Sequence, residues 1–366
     1  MTHSQRRVRL AARLAADGLE ALLVSDLINV RYLCGFTGSN AALVVFAGDT
    51  PAILATDSRY RTQAARQAPD VEAAIERACG RHLVSRAVAA GARRIGFESH
   101  VVTVDGFDGL AKELDGTAAE LVRASGTVEA LREIKDAGEI ALLRLACEAA
   151  DAALADLVND GGLRPGRTER AVGRELEALM LDHGADGPSF ETIVAAGANS
   201  AIPHHRPTDA VLAAGDFVKI DFGALVGGYH SDMTRTFVLG PVGKVEAWQH
   251  EIYALVAAAQ QAGRAALEVG ATLSDVDAAA RLVIADAGYA DHFGHGLGHG
   301  VGLQIHEAPG INSAAAGTLL AGSVVTVEPG VYLPDRGGVR IEDTLVVGGR
   351  IPELPTRFPK ELAILT

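Results

Sequence analysis

The chain is predicted to be an α+β protein of two domains, a smaller α/β domain over 1–126 and a larger one over 127–366. Three observations predict this. Strand and helix patterns alternate through the first third, long helical stretches occupy the middle, and the last third is rich in short β-branched runs bounded by turn residues. At 366 residues and 48% hydrophobic content, the chain holds enough apolar material for two cores.

In the first domain Val8, Leu10, Ala11, Leu14 and Ala15 recur at helical spacing, with Gly18 as a stop. "ALLVSD", "AALVVFAG" and "PAILATD" follow as strands, then "SRYRTQAARQAP" as a helix. "RRIGFES" and "VDGFDGLAKEL" repeat the strand–helix rhythm, and a short strand over Glu120–Arg123 closes the domain. After "ASGT", the stretch "EALREIKDAGEIALLRLACEAADAALADLV" reads as one long helix, broken by "NDGGLRPG". Thr168 is placed to cap a second helix, "TERAVGRELEALMLDHG". The stretches "WQHEIYALVAAAQQAGRAAL" and "LSDVDAAARLVIADAG" supply two more. Helices followed by strands thus occur twice, which hints at an internal duplication.

The net charge of −13 argues against a nucleic-acid partner, which would need clustered Lys and Arg. No window offers about 20 uncharged apolar residues, so no membrane span is expected, and charges interrupt the N-terminal stretch as they would not in a signal peptide. Cys34, Cys79 and Cys147 are odd in number and far apart, the pattern of reduced thiols in a cytoplasmic protein.

"KIDFGALVGGYHSDMTRT" carries Asp221 and Asp232 on either side of Gly227-Gly228. With those glycines as a two-residue turn, Val226 pairs with Tyr229 and Asp221 with Thr234. The two aspartates then become diagonal neighbours on one face, roughly 7–8 Å apart at the backbone. Such a pair repels unless a cation lies between them. The plainer alternative is a solvent-facing hairpin with two unrelated acids.

"FGHGLGHGVGLQIHEAPG" holds His295, His299 and His306, with glycine at every second position from Gly294 to Gly302. So much glycine excludes a helix and suits extended chain that approaches a ligand closely. Glu328 ends the apolar run "SVVTVE", and Glu342 sits among Val339, Ile341, Leu345 and Val346. Isolated buried acids are costly, so two in succession inside apolar strands suggest a shared cation. Asp221, Asp232, His299, Glu328 and Glu342 together form a carboxylate-rich set with one imidazole. Its charge suits two divalent ions, and its hard oxygens favour manganese, with cobalt or zinc also compatible. Such a centre activates water for hydrolysis.

In order along the chain, "DFGALVGGYHSDMTR", "HGLGHGVGLQIHE", "VEPG" and "RIEDT" resemble the motifs of the pita-bread metallopeptidases, which include Xaa-Pro aminopeptidases, Xaa-Pro dipeptidases (prolidases) and methionine aminopeptidases. The first third, with "YLCGFTGSNAALVV" and "ATDSRYRTQA", resembles the creatinase-like N-terminal domain that methionine aminopeptidases lack. The resemblance implies a pita-bread catalytic domain behind a creatinase-like α/β domain. It also implies metal ligation by Asp221, Asp232, His299, Glu328 and Glu342. His204 and His306 are implied to contact the substrate or the oxyanion, Glu328 to shuttle a proton, and His295 and Arg340 to stand behind them or line the substrate pocket. The expected substrates are small peptides with proline second, and the expected assembly is a homo-oligomer, dimer or tetramer. Relatives of this fold that have lost the ligands act as silent binding modules, but here every ligand position is kept.

A strict dipeptidase must also recognise a carboxylate directly after proline, most simply with Arg. Some prolidases place one between the substrate His and the VEPG strand. "EAPGINSAAAGTLLAGSVVTVEPG" contains no Lys or Arg, leaving Arg336, Arg340 or a partner subunit. On that ground the expected activity is an Xaa-Pro aminopeptidase, with an Xaa-Pro dipeptidase as the alternative.

Overall fold

A computed structural model describes residues 1–349 and 351–366, and the chain forms two compact units, Met1–Arg132 and Glu133–Thr366. The first unit is built on a six-stranded mixed sheet. Its order is Glu72–Ile75, Ile53–Thr56, Ala41–Phe46, Ala21–Val24, Arg94–Phe97, Glu120–Arg123. Ala21–Val24 and Ala41–Phe46 are buried along their whole length, as central strands covered on both faces must be. Helix His3–Ala16 begins on a capping box between Thr2 and Gln5. Two helices were not foreseen. Leu27–Cys34 is short, but Asp26 caps it and Gly35 ends it at φ 80°. Cys79–Ala89 has no side-chain cap and is held by burying Cys79, Leu83, Val84 and Ala87.

The second unit repeats one plan. Helices Ala137–Asn159 and Glu169–Asp182 accompany a sheet ordered Ile364–Leu365, Met233–Leu239, Phe217–Phe222, Ile193–Ala196. Helices Ala247–Ala265 and Leu273–Asp286 accompany another, ordered Glu307–Ile311, Gly298–Gly300, Val324–Val327, Asp343–Val346. Each half has its own apolar core, one around Leu154, Leu176, Ile220 and Phe237, the other around Val256, Ile284, Val325 and Leu345. Thr168 caps its helix as expected, its hydroxyl accepting from the Ala171 N–H.

The long helix expected after "ASGT" is two pieces. Glu129–Arg132 forms a single turn, and Ala137–Asn159 begins only after an extended break. Three local features stop the helix. Ile134 bridges Ser323, the Lys135 N–H donates to the Gly322 carbonyl, and Asp136 caps the next helix in a capping box with Glu139. The Lys135 ammonium sits 2.7 Å from Glu307 with both side chains buried. A helical pattern was thus interrupted by tertiary pairing that periodicity does not register.

The hairpin follows the expected register: Val226 opposes Tyr229 and Asp221 opposes Thr234. Gly227 and Gly228 both have positive φ, 56° and 82°, which a turn of this hand requires. It is not solvent-facing, because Phe217–Phe222 and Met233–Leu239 are buried at every residue. Two aspartates therefore sit inside a covered sheet.

Candidate metal centre and active-site cavity

His204, His295, His306, Arg340 and the five expected ligands, Asp221, Asp232, His299, Glu328 and Glu342, line one cavity of about 490 Å³ in the second unit. Asp221 comes from the strand Phe217–Phe222, and Asp232 immediately precedes Met233–Leu239. His299 lies on Gly298–Gly300 in the other half's sheet, Glu328 follows Val324–Val327, and Glu342 immediately precedes Asp343–Val346. Both halves therefore contribute ligands, and the cavity lies where their sheets meet.

The alternating glycines have a steric reason. A Cβ on Gly298 would lie 2.0 Å from the Thr326 carbonyl oxygen, and one on Gly300 would lie 2.1 Å from that of Ala308. Neighbouring strands approach too closely for any side chain, and this brings His299 to the acids.

Ligand atoms of Asp232, His299 and Glu342 all lie within 4.8 Å of one another. The other two acids join them through His299 and Arg340. His299 Nε2 lies 3.3 Å from Glu328 Oε1 and 3.5 Å from Asp232 Oδ2, while Arg340 pairs directly with Asp221 and stands 3.9 Å from Glu328. His299 Nδ1 donates to the Gly300 carbonyl at 3.1 Å, which turns Nε2 toward the carboxylates, the nitrogen that would bind a metal in place of its proton.

The electrostatics are those of a cation site. Burial, and then the charges of Glu342, Asp221 and Glu328, raise the Asp232 pKa well above the carboxylate range. Burial and the same neighbouring carboxylates, Glu328 foremost, raise that of Glu342. Glu328 goes the other way. Burial would raise it, but the hydrogen bond and charge of His299, with Arg340 and His295, bring it down to about 2. Asp221 Oδ1 and Glu342 Oε1 are buried without a hydrogen-bond partner among the described residues. Orphaned carboxylate oxygens in the same cavity as an imidazole nitrogen fit hard divalent cations.

Arg340 is buried and fully engaged. Beyond Asp221, it donates to Thr234 Oγ1 at 3.0 Å, Tyr332 Oη at 2.9 Å and the Pro203 carbonyl at 3.2 Å. Thr234 Oγ1 in turn donates to Glu342 at 2.6 Å. His295 contacts Tyr332 Oη at 2.9 Å, and burial lowers its pKa. His306 packs edge-on against His299 with ring centroids 4.3 Å apart, and burial with the His299 charge lowers its pKa. His204 is exposed on the cavity wall.

Sequence reasoning missed the residues that hold these groups in place. Lys219 is wholly buried, and its Nζ donates to the carbonyls of Ile202 and Pro203 at 2.6 and 3.3 Å, next to His204. Burial, followed by the Arg340 charge, depresses its pKa strongly. His205, also at the cavity, bonds buried Glu169 at 2.8 Å and pins the same loop. Arg235 binds Asp343 at 2.8 Å, the residue after Glu342. A lysine inside "FVKIDF" and the charges in "SDMTRT" and "RIEDT" were visible signals, since a buried charge must be paired.

The comparisons with known proteins agree with this geometry. The model of Metallopeptidase family M24 matches residues 141–348, and that of the Creatinase/Prolidase N-terminal domain matches 6–134. An Xaa-Pro dipeptidase of Pyrococcus horikoshii is 33% identical, over 94% of this chain and 95% of its own. The solved structure of an Xaa-Pro dipeptidase from Bacillus anthracis superposes with a TM-score of 0.93 at 37% identity, covering 100% of both chains. That of an X-Pro aminopeptidase from Thermotoga maritima reaches 0.88 at 30% identity, covering 98% of this chain and 99% of its own. With a pita-bread domain, a creatinase-like domain ahead of it and a carboxylate–imidazole cluster fit for divalent metal, the chain belongs to metallopeptidase family M24.

Proposed function

We propose that this protein is a divalent-metal exopeptidase that hydrolyses the bond between an N-terminal residue and proline, with the Xaa-Pro dipeptide as its preferred substrate. The observation that carries the reading is the cluster of Asp232, His299 and Glu342, with Asp221 and Glu328 lining the same cavity and buried oxygens on Asp221 and Glu342 that nothing in the described chain satisfies. The preference for dipeptides takes up the alternative that the sequence left beside the aminopeptidase, and the comparisons support it better. The relative and the more similar of the two structures named above are both Xaa-Pro dipeptidases.

Asp221, Asp232, His299, Glu328 and Glu342 would hold two ions, manganese first by the hardness of the donors, with cobalt or zinc as substitutes. When bound, divalent ions polarise the scissile carbonyl and make water a competent nucleophile near neutral pH. The remaining chemistry belongs to the chain. Glu328, kept ionised beside His299, takes a proton from the attacking water and returns it to the proline nitrogen as the bond breaks. His306, whose pKa burial and the neighbouring His299 lower, donates a hydrogen bond to the substrate, and His204 does so from elsewhere on the cavity wall. Arg340 and Tyr332 fix Asp221 and His295 behind them. The reading extends to a homo-oligomer in the cytoplasm, where the three buried, unpaired cysteines stay reduced.

Stripping the protein with a chelator and assaying Xaa-Pro and Xaa-Pro-Xaa peptides side by side tests this. Activity should vanish, return with Mn²⁺ or Co²⁺, and favour the dipeptide. Full activity after stripping would refute the metal mechanism, and equal rates on both peptides would restore the aminopeptidase.

A further inference from the structure

An Xaa-Pro dipeptide ends in a carboxylate directly beyond the proline ring, and an enclosed carboxylate needs a cationic partner. Sequence offered Arg336, Arg340 or a partner subunit, and the structure removes the two arginines. The Arg336 guanidinium stacks over Trp248 at 4.2 Å and does not line the cavity. Arg340 lines it but is 1% exposed, with its donors engaged on Asp221, Thr234, Tyr332 and Pro203. Among the described residues lining the cavity, Arg206 is the one remaining Arg or Lys.

Resting on the Xaa-Pro reading, we propose that Arg206 binds the terminal carboxylate of the substrate and thereby makes the enzyme select dipeptides. Its side chain is 78% exposed and among the described residues pairs with Glu191, itself 56% exposed and lining the same cavity. An ion pair so open to water contributes little stability, so exchanging Glu191 for a substrate carboxylate is cheap. A guanidinium also has five donors in a planar fork and can take a second carboxylate without leaving the first.

The backbone beside Arg206 is held although its side chain is exposed. Pro203 is held through its carbonyl by Lys219 and Arg340, His205 is buried against Glu169, and Pro207 restricts the backbone that follows. An exposed guanidinium on a held backbone, near the exposed His204, suits a group that meets the far end of a short substrate. Glu191 opposes the same carboxylate by like charge, so it sharpens the requirement for Arg206.

Ala-Pro and Ala-Pro-amide differ in that one charge, and the metal-loaded enzyme with Arg206→Gln, Arg206→Lys and Glu191→Gln variants provides the test. Arg206→Gln should lower kcat/KM on Ala-Pro by about 10- to 100-fold, mainly through KM, the range expected for losing a charge-assisted hydrogen bond. The same variant should move Ala-Pro-amide by less than about threefold. Arg206→Lys should recover part of the loss, and Glu191→Gln should process Ala-Pro as well as or better than the parent. Equal loss on both substrates, or no loss on Ala-Pro, overturns the assignment. A parent enzyme that cleaves neither substrate overturns the Xaa-Pro reading itself, a distinct outcome.

Discussion

Glu98 in the first unit and Glu342 in the second are each 1% exposed, yet their surroundings differ in kind. Glu98 accepts from the backbone N–H groups of Ser25 and Asp26 at 2.6 and 2.7 Å through one oxygen and from Asn29 at 2.7 Å through the other. Glu342 has one oxygen on Thr234 and the other with no partner among the described residues, and three further carboxylates stand around it. A buried acid whose oxygens are all satisfied ties elements together. A cluster of buried acids left incomplete needs a ligand from outside the chain. Burial alone does not separate the two cases.

The widest gap between them should appear in activity. Glu342→Gln should abolish turnover, by at least about 1000-fold, while far-UV circular dichroism stays that of the parent. Glu98→Gln should leave turnover within about twofold, since Glu98 touches no site residue. If Glu342→Gln kept near-normal turnover, the distinction would fail.

Metal should separate the regions next. At about 100 times the dissociation constant, a ligand that binds only the folded state stabilises it by about 2.7 kcal/mol. Mn²⁺ should therefore raise the melting temperature of the parent and of Glu98→Gln, and leave that of Asp232→Ala unchanged. A shift in Asp232→Ala equal to the parent's would place the ion elsewhere.

Much of this contrast is legible in the sequence. The Gly-Gly turn with strand alternation on either side predicted the pairing of Asp221 with Thr234, because register follows from turn length. Alternating glycine placed His299 on an extended strand. What stayed hidden was long-range. Lys219 clamps the 202–203 backbone from a neighbouring strand, and Asn29 and Glu98 are brought together only by the sheet. Arg206 escaped notice because its significance depends on which other cations are already engaged.

The clamp gives a smaller effect. Lys219→Met should cut kcat about 10-fold by loosening His204, consistent with the sensitivity of rate to small misplacements, with metal stoichiometry unchanged. Loss of metal together with rate would instead make Lys219 part of the ligand shell.

The smallest expected effect is in the pH dependence of stability. Burial outweighs the three donors and lifts the Glu98 pKa to about 7, above its unfolded value. The folded state thus holds a proton that the unfolded state releases, so the contribution of Glu98 is greatest below the unfolded pKa and falls as pH rises toward 7. Glu98→Gln should flatten this slope in denaturant midpoints measured from pH 4.5 to 7. An unchanged slope would assign the dependence to other groups.

Calorimetric titration of metal-stripped protein with Mn²⁺, in parent and Glu342→Gln, tests the central claim most directly. The parent should bind about two ions per chain, and the variant should lose at least one of them or bind it far more weakly. Identical isotherms for the two proteins, or no binding to the parent, would contradict the assignment of these side chains as a metal centre.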